Sequence, residues 1–279
     1  MISPFLALLL QVGPAPTVEP VSPLPPEMLE QRERARRGAY VEVETETSRL
    51  ARCLARSRTD PGGSVEEAEA WLAESTIDAA GRGDAGQCLG VAQTQLGQRT
   101  DAAETFLAAR DATPADDARA RALRGALAGG ALLAEGDTQG ALALLDQAQA
   151  DADTAADATI QGQIAIDRAI ALAALGRAPE AATALDTARA TLPDNAQAWL
   201  LSATLARRDG DLAQAQERIQ RAAMLAPRDP AVGLEAGVIA VLAGRDAAAR
   251  QSWQSVIQAA PESGEAATAQ QYLDQLGSE

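Results

Sequence analysis

The stretch RRDGDLAQAQERIQRAAMLAP, Arg207–Pro227, decides the fold. Its Gly210-Asp211 pair marks the end of one helix and the start of another, because glycine adopts the left-handed conformation of a helix end and aspartate caps the next helix. The residues of the second helix that share one face are Ala215, Ile219 and Ala222, and Pro227 ends the helix. The stretch therefore predicts a pair of helices.

The same pattern returns 34 residues before and after this stretch. Relative to the glycine, small residues occur at −7 and +5, a large apolar residue at +9, Ala or Val at +12 and proline at +17. The three units in phase contain Ala169, Gly176, Ala181, Leu185, Ala188 and Pro193; Ala203, Gly210, Ala215, Ile219, Ala222 and Pro227; and Gly237, Gly244, Ala249, Trp253, Val256 and Pro261. A period of this length predicts stacked repeats, since one unit cannot bury its apolar face alone.

Earlier units follow the same pattern after insertions. Their residues are Gly90, Gly97, Ala102, Phe106, Ala109 and Pro114, then Gly129, Gly136, Ala141, Leu145 and Ala148, with Asp153 in place of the proline. A sixth, degenerate unit is counted from Gly63, where Ala68 and Leu72 fit but Arg56 replaces the small residue. Together the units predict a solenoid over residues 49–263.

The composition favours helices and argues against several functions. Alanine, the best helix former, is abundant, whereas aromatic residues make up only 3% of the chain. The formal charge of −15 disfavours nucleic acid and anionic lipid as partners. With no histidine, the chain cannot build a Ser-His or Cys-His pair or a His-ligated metal site. We therefore predict a protein that is not an enzyme and has no metal or other cofactor.

The composition of the first 48 residues divides them into three segments. Residues 1–15 resemble a signal peptide, with an apolar run at 5–10 followed by small residues, although no basic residue precedes the run. Residues 16–27 form a Pro-rich linker, and residues 28–48 are charged and predicted to be mainly helical. The apolar run is too short to span a bilayer, so no integral membrane segment is expected in the mature chain.

The chain has two cysteines, Cys53 and Cys88. They make no C-x-x-C pair and cannot close a four-ligand zinc site alone. A disulfide in an oxidising compartment and a pair of buried thiols are both compatible with the sequence.

The stretch that begins at Ala198 resembles a tetratricopeptide repeat (TPR). The residues at signature positions of that motif are Trp199, Ala203, Gly210, Ala215, Ile219, Ala222 and Pro227, while Ala206 stands where an aromatic is usual. The resemblance covers about residues 83–263 and extends more faintly over 49–82. It implies an all-α, right-handed superhelical solenoid of antiparallel helix pairs, in which the first helix of each unit lines a concave groove. Residues 264–279 would form a capping helix and tail.

The resemblance also implies a site for a peptide or helical segment of a partner protein. One subclass of these repeats clamps a carboxylate with Lys, Asn and Arg, a set this chain cannot assemble because it has no Lys and one Asn. The residues of this chain that match groove positions of the repeat family are Ile166, Ile170, Gln197, Leu200, Thr204, Arg207, Arg208, Leu234, Val238 and Val241. This apolar surface with an Arg pair suits an amphipathic segment bearing acids, although in a tight superhelix the side chains would instead contact one another.

One motif suggests a different function. The stretch GRGDAG, Gly81–Gly86, matches the glycine spacing of a dinucleotide fingerprint. That fingerprint requires a preceding strand, whereas the pattern of the preceding residues predicts an amphipathic helix, so we do not predict a nucleotide site.

The repeat and the signal-like start together predict a non-enzymatic, protein-binding scaffold in assembly or biogenesis of a bacterial cell envelope, located in the periplasm or secreted. A cytoplasmic adaptor or cochaperone-like module is the alternative. A third hypothesis is an enzyme that uses a pair of carboxylates, which requires a deep pocket that joins the two.

Overall fold

The computed structural model of the protein describes residues 48–277, which contain thirteen α-helices and no strand. The helices are α1 (Arg49–Arg56), α2 (Pro61–Leu72), α3 (Ala79–Gln95), α4 (Arg99–Ala112), α5 (Ala118–Glu135), α6 (Thr138–Ala155), α7 (Ala158–Ala174), α8 (Ala178–Thr191), α9 (Ala196–Arg208), α10 (Leu212–Leu225), α11 (Pro230–Leu242), α12 (Asp246–Ala259) and α13 (Gly264–Leu276). The signal-like segment, the Pro-rich linker and all but the last residue of the charged segment lie outside the described residues.

The helices are stacked in chain order. Each helix contacts the next, and the first helices of successive units, from α5 through α7, α9 and α11, also contact one another, with α13 packed on α11. Contacts therefore stay between neighbouring units, as expected for a quasi-one-dimensional array. The prediction of an all-α helical repeat solenoid is confirmed.

Five turns between the helices of a pair have a left-handed glycine. These are Gly97 (φ 79°), Gly136 (φ 93°), Gly176 (φ 74°), Gly210 (φ 83°) and Gly244 (φ 68°). A residue with a Cβ is strained at such a φ, so glycine ends the first helix at low cost. In two units an aspartate then caps the second helix as expected: Asp137 accepts a hydrogen bond from the Gly140 amide and Asp211 from the Gln214 amide, each at 2.9 Å.

Small residues allow the two helices of a pair to approach closely. A Cβ built on Gly90 would lie 2.6 Å from the Phe106 ring, and one on Gly129 would lie 2.6 Å from Cγ of Leu145. The side chains of Phe106 and Leu145 are 2% and 0% exposed. The large residue at +9 thus fills the space that the small residue at −7 leaves, which explains why these two positions recur together.

The insertions lengthen helices. The second helices α4, α8, α10 and α12 have 14 residues each, and proline follows shortly after each of them. Asp153 stands where proline is expected in the Gly136 unit, and α6 continues through it to 18 residues. The first helices α3, α5 and α7 have 17 or 18 residues, against 13 in α9 and α11.

The register assigned to the first unit is wrong. Gly63 does not end a helix; it lies in the first turn of α2, where its amide donates to Asp60. The buried residues of α2 are Ser64, Ala68 and Trp71. They are the fourth, eighth and eleventh residues of the helix, as Ala215, Ile219 and Ala222 are in α10. The buried pattern therefore starts four residues earlier than the glycine suggested, and the turn before it contains no glycine.

The stretch GRGDAG lies inside α3, and its glycines permit close packing. A Cβ on Gly83 would clash with the Arg124 guanidinium, and one on Gly86 would lie 2.7 Å from Cβ of Ala109. Arg124 of α5, 3% exposed, is held by Asp84, Thr113 and Gln87, with its Nε donating to the Gln87 amide oxygen at 3.1 Å. Burial lowers the pKa of the Arg124 guanidinium, and Asp84 opposes this shift.

Cys53 and Cys88 form a disulfide that joins α1 to α3, with their Cα atoms 6.0 Å apart. Both residues are fully buried and belong to one core cluster with Ala68 and Leu89. Of the two alternatives compatible with the sequence, a disulfide and a pair of buried thiols, the structure contains the disulfide. It anchors α1 to the rest of the solenoid.

Candidate partner-binding groove

The first helices of the units, together with α13, form the surface that we call the groove. Three cavities open on it. Pocket A lies between α3, α5 and α7, with α4 behind it; pocket B lies between α7 and α9; and pocket C lies between α11 and α13. Their volumes are about 440, 400 and 420 Å³, within the range of sites that take side chains or small ligands.

Pocket B brings together three of the predicted groove residues. Ile170 of α7 faces Thr204 and Arg208 of α9 across an apolar floor. The other lining residues are Ala169, Ala173, Ala174, Leu185, Leu201 and Leu205. Arg208 is exposed and makes no hydrogen bond or ion pair with any described residue. Pocket B is therefore a half-open apolar cavity with one available positive charge at its rim.

Of the two predicted groove arginines, only Arg208 is available to a ligand. Arg207 is partly buried and pairs in a bidentate manner with Glu235 of α11, through Nε to Oε1 at 2.6 Å and a second guanidinium nitrogen to Oε2 at 3.3 Å. This pair links two successive first helices. Arg207 therefore stabilises the packing of successive units, and it is not available to pair with a ligand.

Three other predicted groove residues pack on core clusters of the solenoid. Ile166 is 0% exposed and belongs to a core cluster, so its prediction as a groove residue is wrong. Leu200 is half-buried against the cluster around Ile219, and Leu234 is half-buried near Trp253, whose indole N–H donates to the Leu234 carbonyl at 3.1 Å. All three stand ten residues before their glycine, and the side chain at this position is fully buried in one unit and half-buried in the other two.

Pocket C contains two more predicted residues, Val238 and Val241. It is closed on one side by α13, whose Tyr272 ring lies 5.2 Å from the Trp253 ring. Pocket C is thus an apolar cavity at the last repeat, while Gln197, the remaining predicted groove residue, is exposed on the first turn of α9.

Pocket A contains an acid that the sequence pattern did not single out. Asp167 of α7 lies half-buried in the wall, and the apolar lining includes Val91, Phe106 and Leu127. No hydrogen bond or ion pair connects Asp167 to any residue in the range 48–277. Burial raises the pKa of the Asp167 carboxyl group to about 6 from its usual value of 3.8. The signal in the sequence was a lone aspartate within the apolar run of α7.

Replacing Asp167 with asparagine should stabilise the protein at neutral pH. A carboxyl pKa of about 6 in the folded state and 3.8 in the unfolded state means that the folded state binds more protons between these values, so stability falls as pH rises through this window. Two pKa units correspond to about 3 kcal/mol, and partial exposure reduces this to about 1 to 2 kcal/mol. Urea unfolding at pH 7.5 should show this gain for Asp167→Asn, and the gain should shrink towards zero at pH 4.

The exposed loop acid Asp116 supplies the control for this measurement. Asp116→Asn changes the net charge by the same amount and should leave the free energy of unfolding within about 0.5 kcal/mol of the wild type. Equal gains from both variants would show that net charge, rather than burial of Asp167, causes the effect.

The described helices contain neither a metal-binding cluster nor a membrane span. Within residues 48–277, no group of three or more His, Cys, Asp or Glu side chains is placed to hold a metal ion. None of the helices described is long and apolar enough to cross a bilayer.

Comparisons with known proteins rest on structure alone, because no protein-family model and no curated protein matches the sequence. Pseudomonas aeruginosa PilF matches with a TM-score of 0.64 and 15% identity over 87% of this chain and 100% of that chain. PilW, described as a widely conserved type IV pilus biogenesis factor, matches with a TM-score of 0.62 and 20% identity over 78% of this chain and 94% of that chain.

YrrB, described as a TPR protein with an unusual peptide-binding site, matches with a TM-score of 0.53 and 14% identity over 74% of this chain and 99% of that chain. At these identities the matches establish the fold. The described part of the chain therefore has the fold of the tetratricopeptide-repeat proteins, as its repeat pattern predicted.

Proposed function

We propose that the protein is a non-enzymatic scaffold that binds a peptide or helical segment of a partner protein in the groove. The observation that carries this proposal is pocket B, where an apolar cavity of about 400 Å³ opens between two first helices beside Arg208, which has no partner among the described residues. An amphipathic segment with an acidic residue next to an apolar anchor fits this combination, because the anchor fills the cavity and the acid pairs with the guanidinium.

The similar structures support the same class of function. YrrB is described as having a peptide-binding site, and it shares the fold of this chain. Because affinity in such grooves comes from a few anchors in pockets, three separate cavities along one face favour an extended or helical ligand over a single small molecule. The net charge of −15 makes nucleic acid an unfavourable partner.

We further propose that the protein acts in cell-envelope assembly or biogenesis, outside the cytoplasm. Three observations support this location. Residues 1–15 resemble a signal peptide, Cys53 and Cys88 form a disulfide of the kind that persists in oxidising compartments, and PilW is described as a pilus biogenesis factor.

A glutamate in pocket B should abolish partner binding. Thr204→Glu places a charged side chain in the apolar cavity next to Arg208, so it both fills the cavity and occupies the guanidinium. The measurement is in-cell crosslinking of the full-length tagged protein in its host, followed by identification of the captured proteins. We expect one envelope protein to be captured by the wild type and reduced at least tenfold with Thr204→Glu.

The matched control is Thr187→Glu, which makes the same substitution on an exposed face of α8, a second helix. Circular dichroism and thermal unfolding must show that both variants are folded. Capture of the same protein by the wild type and both variants would place the binding surface outside pocket B. A captured partner confined to the cytoplasm would contradict the envelope location.

A further inference from the structure

Asp167 is an exception among the half-buried acids of the solenoid. Five of the others pair with arginines: Glu67 with Arg56, Asp84 with Arg124, Asp151 with Arg110, Asp157 with Arg119 and Glu235 with Arg207. A sixth, Glu265, lies in the first turn of α13, where the helix dipole favours a negative charge. Asp167 has neither form of compensation, since it lies in the middle of α7 and has no partner among the described residues.

The surroundings of Asp167 leave room for a guest side chain. The wall of pocket A on α5 combines Leu123 and Leu127 with small residues, and a Cβ on Gly130 would meet no atom within 4 Å. Phe106 of α4 and Leu127 of α5 supply apolar surface in the same cavity. A cavity of about 440 Å³ whose walls are mainly apolar and whose only acid is Asp167 suits a long basic side chain, since the aliphatic stem of such a side chain is apolar and its end is charged.

No cation within residues 48–277 fills this role. The other charged residue that lines pocket A is Arg99, an exposed residue at the start of α4. Arg99 does not lower the pKa of the Asp167 carboxyl group, which burial alone raises. The carboxylate therefore costs stability in the free protein, and an external cation that paired with it would recover that cost on binding.

We propose that pocket A binds an arginine or lysine side chain of the partner segment, with Asp167 as its counter-ion. This inference rests on the proposed function, and it adds a requirement to the partner: a basic residue must reach pocket A while an apolar anchor occupies pocket B. The net charge of −15 on the chain attracts a segment with such a residue. The proposal assigns Asp167 a binding role that explains why no described residue pairs with it in the free chain.

A peptide selection tests this inference and does not require the partner to be identified first. A random 12-residue peptide library displayed on phage is selected on the immobilised full-length wild type and, in parallel, on Asp167→Asn and Asp167→Arg. The wild type should enrich peptides that share a basic residue at one position. Asp167→Asn should lose this preference, and Asp167→Arg should select an acid at the same position.

The affinities of the best wild-type peptide make the test quantitative. Replacing its basic residue with norleucine should weaken binding to the wild type about tenfold, as expected for a partly buried ion pair. The same replacement should weaken binding to Asp167→Asn less than twofold. On the control variant Asp116→Asn, the norleucine peptide should again bind about tenfold more weakly than the original peptide. Equal losses on the wild type and Asp167→Asn, or a selection without a shared basic position, would overturn the assignment of pocket A.

Failure of the proposed function gives a different result. If the wild type enriches no peptide over bare support, the groove does not bind peptides, and both proposals are contradicted. If peptides are enriched and Thr204→Glu abolishes their binding, but their basic residues are dispensable, the groove function stands and the role of Asp167 is refuted.

Discussion

Replacing Cys53 with serine is expected to lower the free energy of unfolding of the N-terminal repeat by about 3 to 4 kcal/mol. The disulfide to Cys88 closes a loop with a sequence separation of 35, and removing a cross-link of this length restores conformational entropy of that magnitude to the unfolded chain. Helix α1 has only 8 residues, too few for a stable isolated helix. Without the disulfide, the contacts described for α1 are its packing on α2 and α3 and surface ion pairs such as Arg56 with Glu67, which contribute little.

Hydrogen exchange is the appropriate measurement, because a solenoid loses stability locally. Amides of α1 and α2 in Cys53→Ser should exchange at least a hundredfold faster than in the oxidised wild type, while amides of α9 and α10 keep their rates. Dithiothreitol should bring the wild type to the level of the variant and leave the variant unchanged. Unchanged protection of α1 in the variant would show that noncovalent contacts alone hold this helix.

The second large effect is expected from Ala215→Trp, which should destabilise the protein by about 1 to 3 kcal/mol or more. Ala215 is fully buried in a cluster with Ala203, Ile219 and Val232. The small side chain lets α9 and α10 approach closely, so an indole ring at this position has to push the helices apart or take a strained rotamer.

Ala213→Trp on the exposed face of the same helix is the matched control. It adds the same side chain without entering the core, so its free energy of unfolding should stay within about 0.5 kcal/mol of the wild type. Thermal unfolding of the two variants side by side is the measurement. Equal melting temperatures for both would mean that the register drawn through Ala215 is incorrect.

The repeat units were predictable because they depend on local chemistry. A left-handed turn selects glycine, a helix end is followed by proline, and a close helix pair requires one small and one large residue at fixed places. These requirements leave a signal at every unit where they hold, as at Gly97 and Gly244. Where a turn is built without glycine, as before α2, the signal is absent, and the glycine pattern points to Gly63, four residues too late.

The groove was less predictable because it depends on how successive units pack. A residue ten places before the glycine lies close to the groove on a helical wheel, yet Ile166 is fully buried because its helix turns that face toward the neighbouring unit. Pairings between distant residues, such as Arg207 with Glu235, have no local signature either. The lack of a described partner for Asp167 is a property of its whole surroundings and emerges only from the assembled structure.

The disulfide also changes how the chain transmits force. A load applied along the backbone passes from α1 to α3 through the two sulfur atoms and bypasses α2 and its turns. The residues between Cys53 and Cys88 cannot be pulled straight, so the fully extended oxidised chain is shorter than the reduced chain by about 120 Å. The second described helix is thereby shielded from tension for as long as the two cysteines stay oxidised.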